Sequence, residues 1–408
     1  MKKGISLAVS LMLALAVAGG AFAQSITYGI WDANQRPALE KLITAFQADN
    51  PAIKVTLQVV PWGDYWTKLT AATAGGQAFD VFWMNGPNFP VYSSKGILRD
   101  LTGDFKKAGV DVAMYPKALV SLYAKDGKNY GLPKDFDTIG LYYNKDLFDK
   151  AKVAYPNDTW TWDDLKKAAK ALTDPKAGVW GFAAITGDQA GWWNFVLANG
   201  GQLLSADQTK VMVAQGPGRE ALKYLYSFVQ DGTSPDGSTM ASIEPETQLF
   251  PGGKVAMITA GSWMAKTYST APFKIDVAPL PKAKIRATII HGVANVVWNK
   301  GKNQEAAAKF AAFLSTKKAQ QMVADSGSVI PAYQGLATQW VASIPSMHAQ
   351  VLVDAAQYAV PYPSSVKGME WNDQIAAVLA DIWNGATPFD EGMTKLETAG
   401  NAALKRAQ

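Results

Sequence analysis

From residue 25 onward, short apolar or alternating runs are separated by stretches with an apolar period near 3.6, and this alternation confines the chain to α/β architectures. Residues 25–30 alternate Ile26, Tyr28 and Ile30 as a half-buried strand does, and 54–60 and 79–84 repeat the signal. Further strands are expected at 139–143, 179–185, 255–259, 273–277 and 293–298. Between them Leu39, Leu42, Ile43 and Phe46 share one helical face, as do Leu222, Leu225, Tyr226 and Val229. Phe310, Phe313 and Leu314 mark a third face, and Ile375, Val378, Leu379 and Ile382 a fourth that stops at Asn384-Gly385. Pro37 fits a first helical turn, where its missing N–H costs nothing. Thr161-x-x-Asp164 has the form of a capping box, with Trp160 set to staple onto Leu165. A chain of 408 residues exceeds the roughly 250–300 that one core sustains. No internal repeat or low-complexity linker interrupts it, so two domains joined by short crossings within the alternation are expected.

The first 23 residues stand apart. Lys2 and Lys3 precede an apolar stretch that ends near Ala18, and Ala21-Phe22-Ala23 supplies small residues for cleavage, so a secretory signal peptide over residues 1–23 is expected. The apolar stretch is shorter than the roughly 20 residues a membrane span needs. No later run of that kind occurs, and the mature chain is expected to be soluble and periplasmic. The net charge of +5 for the full chain is dispersed, with Lys106-Lys107 and Lys166-Lys167 isolated, which argues against a nucleic-acid partner.

Cysteine is absent and histidine occurs only as His291 and His348, which excludes disulfides, thiolate or imidazole metal centres and cysteine nucleophiles. No cofactor and no metal are expected. Gly216-Pro217-Gly218-Arg219-Glu220-Ala221 matches a dinucleotide fingerprint in form, but Pro217 removes a backbone donor and a Gly-Pro turn before a helix accounts for the run. Gly252-Gly253-Lys254 lacks the upstream glycine and following hydroxyl of a phosphate loop. Asp135 and Asp137 share a face if they lie on a strand. They suit either hydrogen bonding to a polyhydroxylated ligand or, as paired carboxylates, glycoside hydrolysis. The 14 tryptophans are more telling, because several adjoin Asp, Asn or Gly at element ends: Trp31, Trp83, Trp192-Trp193, Trp263 and Trp371. Indole faces cover the C–H face of a sugar while carboxylates and amides bond its hydroxyls.

Tyr130-Gly131-Leu132-Pro133, the run from Ile139 through Asn144-Lys145-Asp146-Leu147-Phe148, and Thr161-Trp162-Asp163-Asp164-Leu165 resemble the bacterial extracellular sugar-binding proteins that feed ABC importers, the class of the maltodextrin-binding protein. Phe79 through Trp83, Gly96-Ile97-Leu98 and the pattern from Phe250 to Met257 with Gly261-Ser262-Trp263 extend the likeness. It implies a two-lobed periplasmic-binding-protein fold, each lobe an open, mostly parallel sheet flanked by helices, with three interlobe crossings near 135–138, 286–291 and 326–331. The lobes would be 24–136 plus 288–328 and 137–287 plus 329–408. It implies cleft aromatics at Trp83, Trp193, Trp263 and Trp371, with Trp192 beside them. The polar contacts it implies are Asn34, Gln35, Asn85, Asp137 and Asp188, and Asp135, Gly261, His291 and Glu370 are further candidates from their positions beside these residues, the crossings or the tryptophans. Gly86 and Ile375 replace a carboxylate and an arginine of the maltodextrin-type pattern, which argues for a different sugar. The implied partners are a mono- or oligosaccharide and ABC permease subunits, met by a monomer that releases its ligand unaltered. The same fold with a polyamine in its cleft, or a carbohydrate-cleaving enzyme, is the alternative.

Overall fold

The computed structural model describes residues 24–363 and 368–406, so the expected leader, 1–23, lies outside the described residues. No described helix is long and apolar enough to cross a membrane. In chain order the strands are β1 (Gln24–Ile30), β2 (Ile53–Val59), β3 (Val81–Met84), the hairpin β4 (Ala124–Lys125) and β5 (Lys128–Asn129), β6 (Asp135–Asn144), β7 (Met257–Gly261), β8 (Ile275–Ala278), β9 (Ile289–His291), β10 (Ala294–Val297), β11 (Ile330–Pro331) and β12 (Val360–Pro361).

The first sheet has the order β10-β3-β1-β2. β1 runs parallel to both β2 and β3, and β10 antiparallel to β3. Helix α1 (Arg36–Asp49) links β1 to β2, and α2 (Trp62–Ala74) links β2 to β3. Pro37 lies in the first turn of α1, whose buried residues are Leu39, Leu42, Ile43 and Phe46, the apolar stripe of the sequence. One face of this sheet packs Tyr28, Phe46 and Phe310, and the other packs Tyr65, Phe82, Tyr92 and Tyr123.

The second sheet is built on β6, all ten residues of which are buried. β7, β8 and β9 are each antiparallel to β6, hence parallel to one another. The second sheet is therefore mixed: β6 runs against β7, β8, β9 and β11, and β12 runs parallel to β9. β6 comes from the first lobe and enters at the edge where its neighbours leave. The strand expected at 179–185 is reduced to parallel bridges of Trp180 with Val255 and Ala183 with Ile258. Its intervening N–H groups bond elsewhere: Gly181 to Thr173 Oγ1, Phe182 to the Thr233 carbonyl and Ala184 to Ser234 Oγ. The Gly216–Gln230 helix begins on the glycine run with Pro217 in its first turn, which leaves no phosphate loop there. The capping box is reciprocal, Asp164 N–H to Thr161 Oγ1 and Thr161 N–H to Asp164 Oδ2.

Packing places the lobe boundaries later than the expected 287/288 and 328/329. Ile289 belongs to the core of the second sheet and Val293 to that of the first. Residues Ala332, Tyr333 and Leu336 still pack on the first lobe, because the Tyr333 ring meets Tyr115 edge-on and Gln334 N–H bonds the Met114 carbonyl.

Candidate functional site

The register of the two sheets brings their loops to one junction. Pairing of Tyr28 with Val81 and of Ile30 with Val59 sends the loops after β3, β1 and β2 out of the same edge. In the second lobe residues 180–183 run parallel to β7, so the turn at 187–193 and the Gly261–Trp263 corner leave together, where β6 begins. Ligand sites of open α/β sheets lie at such carboxyl ends.

At the junction Lys134 donates to Gln35 Oε1 at 2.9 Å, pairs with the Asp135 carboxylate and lies 4.2 Å over the Trp83 ring. Asp135 also accepts Val293 N–H at 2.9 Å, so one buried ion pair binds three segments. Two residues along the same face, Asp137 accepts Gln189 Nε2 at 2.5 Å and lies 3.7 Å from His291 Nδ1. Gly86 N–H donates to His291 Nε2 at 3.1 Å. That bond makes Nε2 the acceptor and leaves the neutral ring's proton on Nδ1, toward Asp137. Asp188 accepts its neighbour Gln189 N–H at 2.6 Å, Asn372 Nδ2 at 2.9 Å and the Tyr362 hydroxyl at 3.1 Å. Tyr362 in turn meets the rings of Trp193 (centroids 4.6 Å apart) and His291 (4.9 Å). Trp193 and Trp371 are parallel within 4° at 6.0 Å.

Burial pushes the carboxyls of Asp137, Asp188 and Glu246 upward. Asp137 is raised by desolvation against the opposing pull of His291, and Asp188 by desolvation against its three hydrogen bonds. Glu246 is pushed up to about 8 by burial and by the charges of Glu244 and Asp188. Its Oε1 is buried without a partner in the protein, as are Asn372 Oδ1, Ser262 Oγ and the indole N–H groups of Trp193 and Trp371. Most buried polar atoms are paired, but Trp66, Trp162, Trp192, Thr259 and Trp340 also carry buried unpaired ones, so these atoms offer hydrogen-bonding capacity without by themselves marking the site.

The structure thus joins Gln35, Asp135, Asp137, Asp188, Trp193, His291 and Trp371. Trp263 is half-buried beside Gly261, where the indole lies so close that a Cβ on the glycine would sit 2.0 Å from it. Other candidates fall elsewhere. Trp83 is fully buried and donates from Nε1 to the Tyr28 hydroxyl at 2.7 Å, so it serves the first core. Asn85 closes its own turn by accepting from Asn88. Asn34 is exposed, its N–H held by Asp32. Trp192 is buried and perpendicular to Trp193. Glu370 is exposed and pairs with Arg406 at 2.5 Å. Lys134, Gln189, Glu246, Tyr362 and Asn372 were not legible as site residues. The available signals were slight: Gln189 adjoins Asp188, and Tyr362 is held between Pro361 and Pro363.

The family model described as "Bacterial extracellular solute-binding protein" matches residues 32–321. A curated binding protein of Brucella abortus is 31% identical over 327 residues, 78% of this chain and 77% of the relative. The galactooligosaccharide-binding protein of Bacillus subtilis is 25% identical over 390 residues, 93% of this chain and 86% of the relative. Among solved structures, an ABC substrate-binding protein of Listeria monocytogenes in complex with cycloalternan superposes with a TM-score of 0.89 at 31% identity, covering 94% of this chain and 99% of that one.

Proposed function

Because the chain belongs to the bacterial extracellular solute-binding proteins, we propose that it captures a sugar between its two lobes outside the cytoplasmic membrane and delivers it, chemically unchanged, to the permease of an ABC importer. The observation that carries this reading is the convergence of Asp137, Asp188, Gln189 and His291 with the rings of Trp193, Tyr362 and Trp371 at the interlobe junction. Carboxylates and amides suit sugar hydroxyls, and indoles suit the C–H faces. The relatives named for galactooligosaccharide and solved with cycloalternan support the same ligand class.

The crossing segments are tied to the first lobe through Lys134 to Gln35, His291 to Gly86 and the bond from the Tyr123 hydroxyl to the Gly292 carbonyl. A sugar held by groups of both lobes favours the closed arrangement by the difference in its affinity for the two states. Moving that equilibrium from 1:99 to 99:1 takes about 5.5 kcal/mol. Hydrogen bonds at about 1 kcal/mol each, with stacking, are enough for this. The closed form then presents both lobes to the permease.

The test is thermal unfolding and tryptophan fluorescence of the mature chain against mono- and oligosaccharides, with putrescine and spermidine alongside. A bound sugar at a hundred times its Kd adds about 2.7 kcal/mol of stability. A response to polyamines and to no sugar, or the appearance of cleaved products, overturns the reading.

A further inference from the structure

The edge of the first sheet extends beyond the junction. The loops after β3, β1 and β2 leave it in that spatial order. Neighbouring strands lie about 4.8 Å apart, so the loop after β2 is about 10 Å from the loop after β3. The β3 loop reaches His291 through Gly86, and the β1 loop reaches Lys134 through Gln35. The β2 loop offers Trp62, at 54% the most exposed of the large hydrophobic residues described.

Trp62 is exposed yet held. It is the first residue of α2, directly after Pro61. Its ring meets Trp31 at 5.4 Å and 68° and Trp66 at 6.1 Å and 86°. Trp31 in turn meets Trp83 edge-on at 4.9 Å, and Trp83 lies under Lys134. A continuous row of indoles therefore leads from the junction to the rim of the first lobe. An aromatic ring already fixed by its neighbours loses little freedom when a flat apolar face settles on it.

We propose that Trp62 is a stacking subsite for an outer ring of an oligosaccharide whose inner rings occupy the junction of Asp137, Asp188 and His291. The proposal rests on the sugar-binding reading and deepens it, because a span of two strand spacings needs more than one sugar ring. It makes Trp62 a determinant of ligand length. The inner groups recognise a sugar of any length, and the rim rewards the longer ones.

The experiment titrates the wild-type chain, Trp62→Ala and Trp62→Phe by calorimetry with gluco-, galacto-, arabino- and manno-oligosaccharides of one to five units. In at least one series wild-type affinity rises beyond the disaccharide. Trp62→Ala then weakens the longer members about tenfold, or 1.4 kcal/mol, shifts mono- and disaccharides less than twofold, and leaves the unfolding temperature unchanged, while Trp62→Phe retains most of the gain. Affinity that stops rising at the disaccharide, or a Trp62→Ala loss that is absent or equal at every length, overturns the subsite. Binding of no sugar in any series removes the sugar reading itself, and the subsite falls with it.

Discussion

Gly261 offers a way to move one ring without touching the rest of the site. It ends β7 opposite Ile139, and its carbonyl accepts the Tyr142 hydroxyl at 3.1 Å. Its backbone, at φ −80° and ψ 163°, suits alanine. A Cβ there would lie 2.0, 2.2 and 2.2 Å from Cζ3, Cε3 and Cη2 of Trp263. Ordinary carbon contacts are about 3.5–4.0 Å, so Gly261→Ala must drive the indole about 1.5 Å or more from its place. If that ring covers a sugar face, the loss approaches the about 1.5–3 kcal/mol of burying a large apolar side chain, which is about tenfold to a hundredfold in Kd. Calorimetry with the sugar that gives the largest thermal shift reads the loss, and circular dichroism reads the fold. Trp263→Ala should weaken binding at least about tenfold, and the double variant should bind like Trp263→Ala alone, because both changes remove the same contact. Gly261→Ala binding within twofold of wild type, or losses that add in the double variant, would refute the assignment of Trp263 to the site.

Other outcomes follow from the same geometry. Glu246, pushed up to about 8 from an ordinary 4.5, binds a proton in the folded state that the unfolded chain releases between those values. It therefore stabilises fully below about pH 4.5, and that contribution is lost as pH rises through about 8. Urea unfolding at pH 5 and pH 8 should show a smaller fall for Glu246→Gln than for wild type, and an equal or steeper fall counts against the burial of this carboxyl. Lys134→Met leaves Asp135 buried without its cation and should cost about 3–5 kcal/mol in guanidinium unfolding. A cost under about 1 kcal/mol would mean the pair does not hold the crossing. Thr161→Ala removes half of a reciprocal cap and should cost about 1 kcal/mol without altering sugar affinity.

Much of the local structure was legible because its causes are local. Pro37, the stripe Leu39-Leu42-Ile43-Phe46 and the Thr161/Asp164 pair act within one or two helical turns, and each forms as the sequence indicates. Residues 179–185 are β-branched and apolar enough to read as a strand. Their hydrogen bonds are drawn off by Thr173, Thr233 and Ser234, partners up to about fifty residues away.

Which of the candidate site residues meet was less legible. Adjacent helical residues point about 100° apart, so Glu370 and Trp371 cannot face one target, and only Trp371 turns to Trp193 while Glu370 meets Arg406. Trp83 was eligible by position, yet the Tyr28 hydroxyl waits beneath it.

By itself the sequence determined the α/β alternation and the family, since periodicity, caps and motifs are properties of neighbouring residues. Only the tertiary structure decided which carboxylates and rings meet. Asp188 finds Tyr362 174 positions away and Asn372 184 away, and Gly86 reaches His291 205 positions on. Those meetings are fixed by the parallel register of two sheets and by a chain that passes repeatedly between them, which is a matter of whole-chain packing that no local pattern encodes.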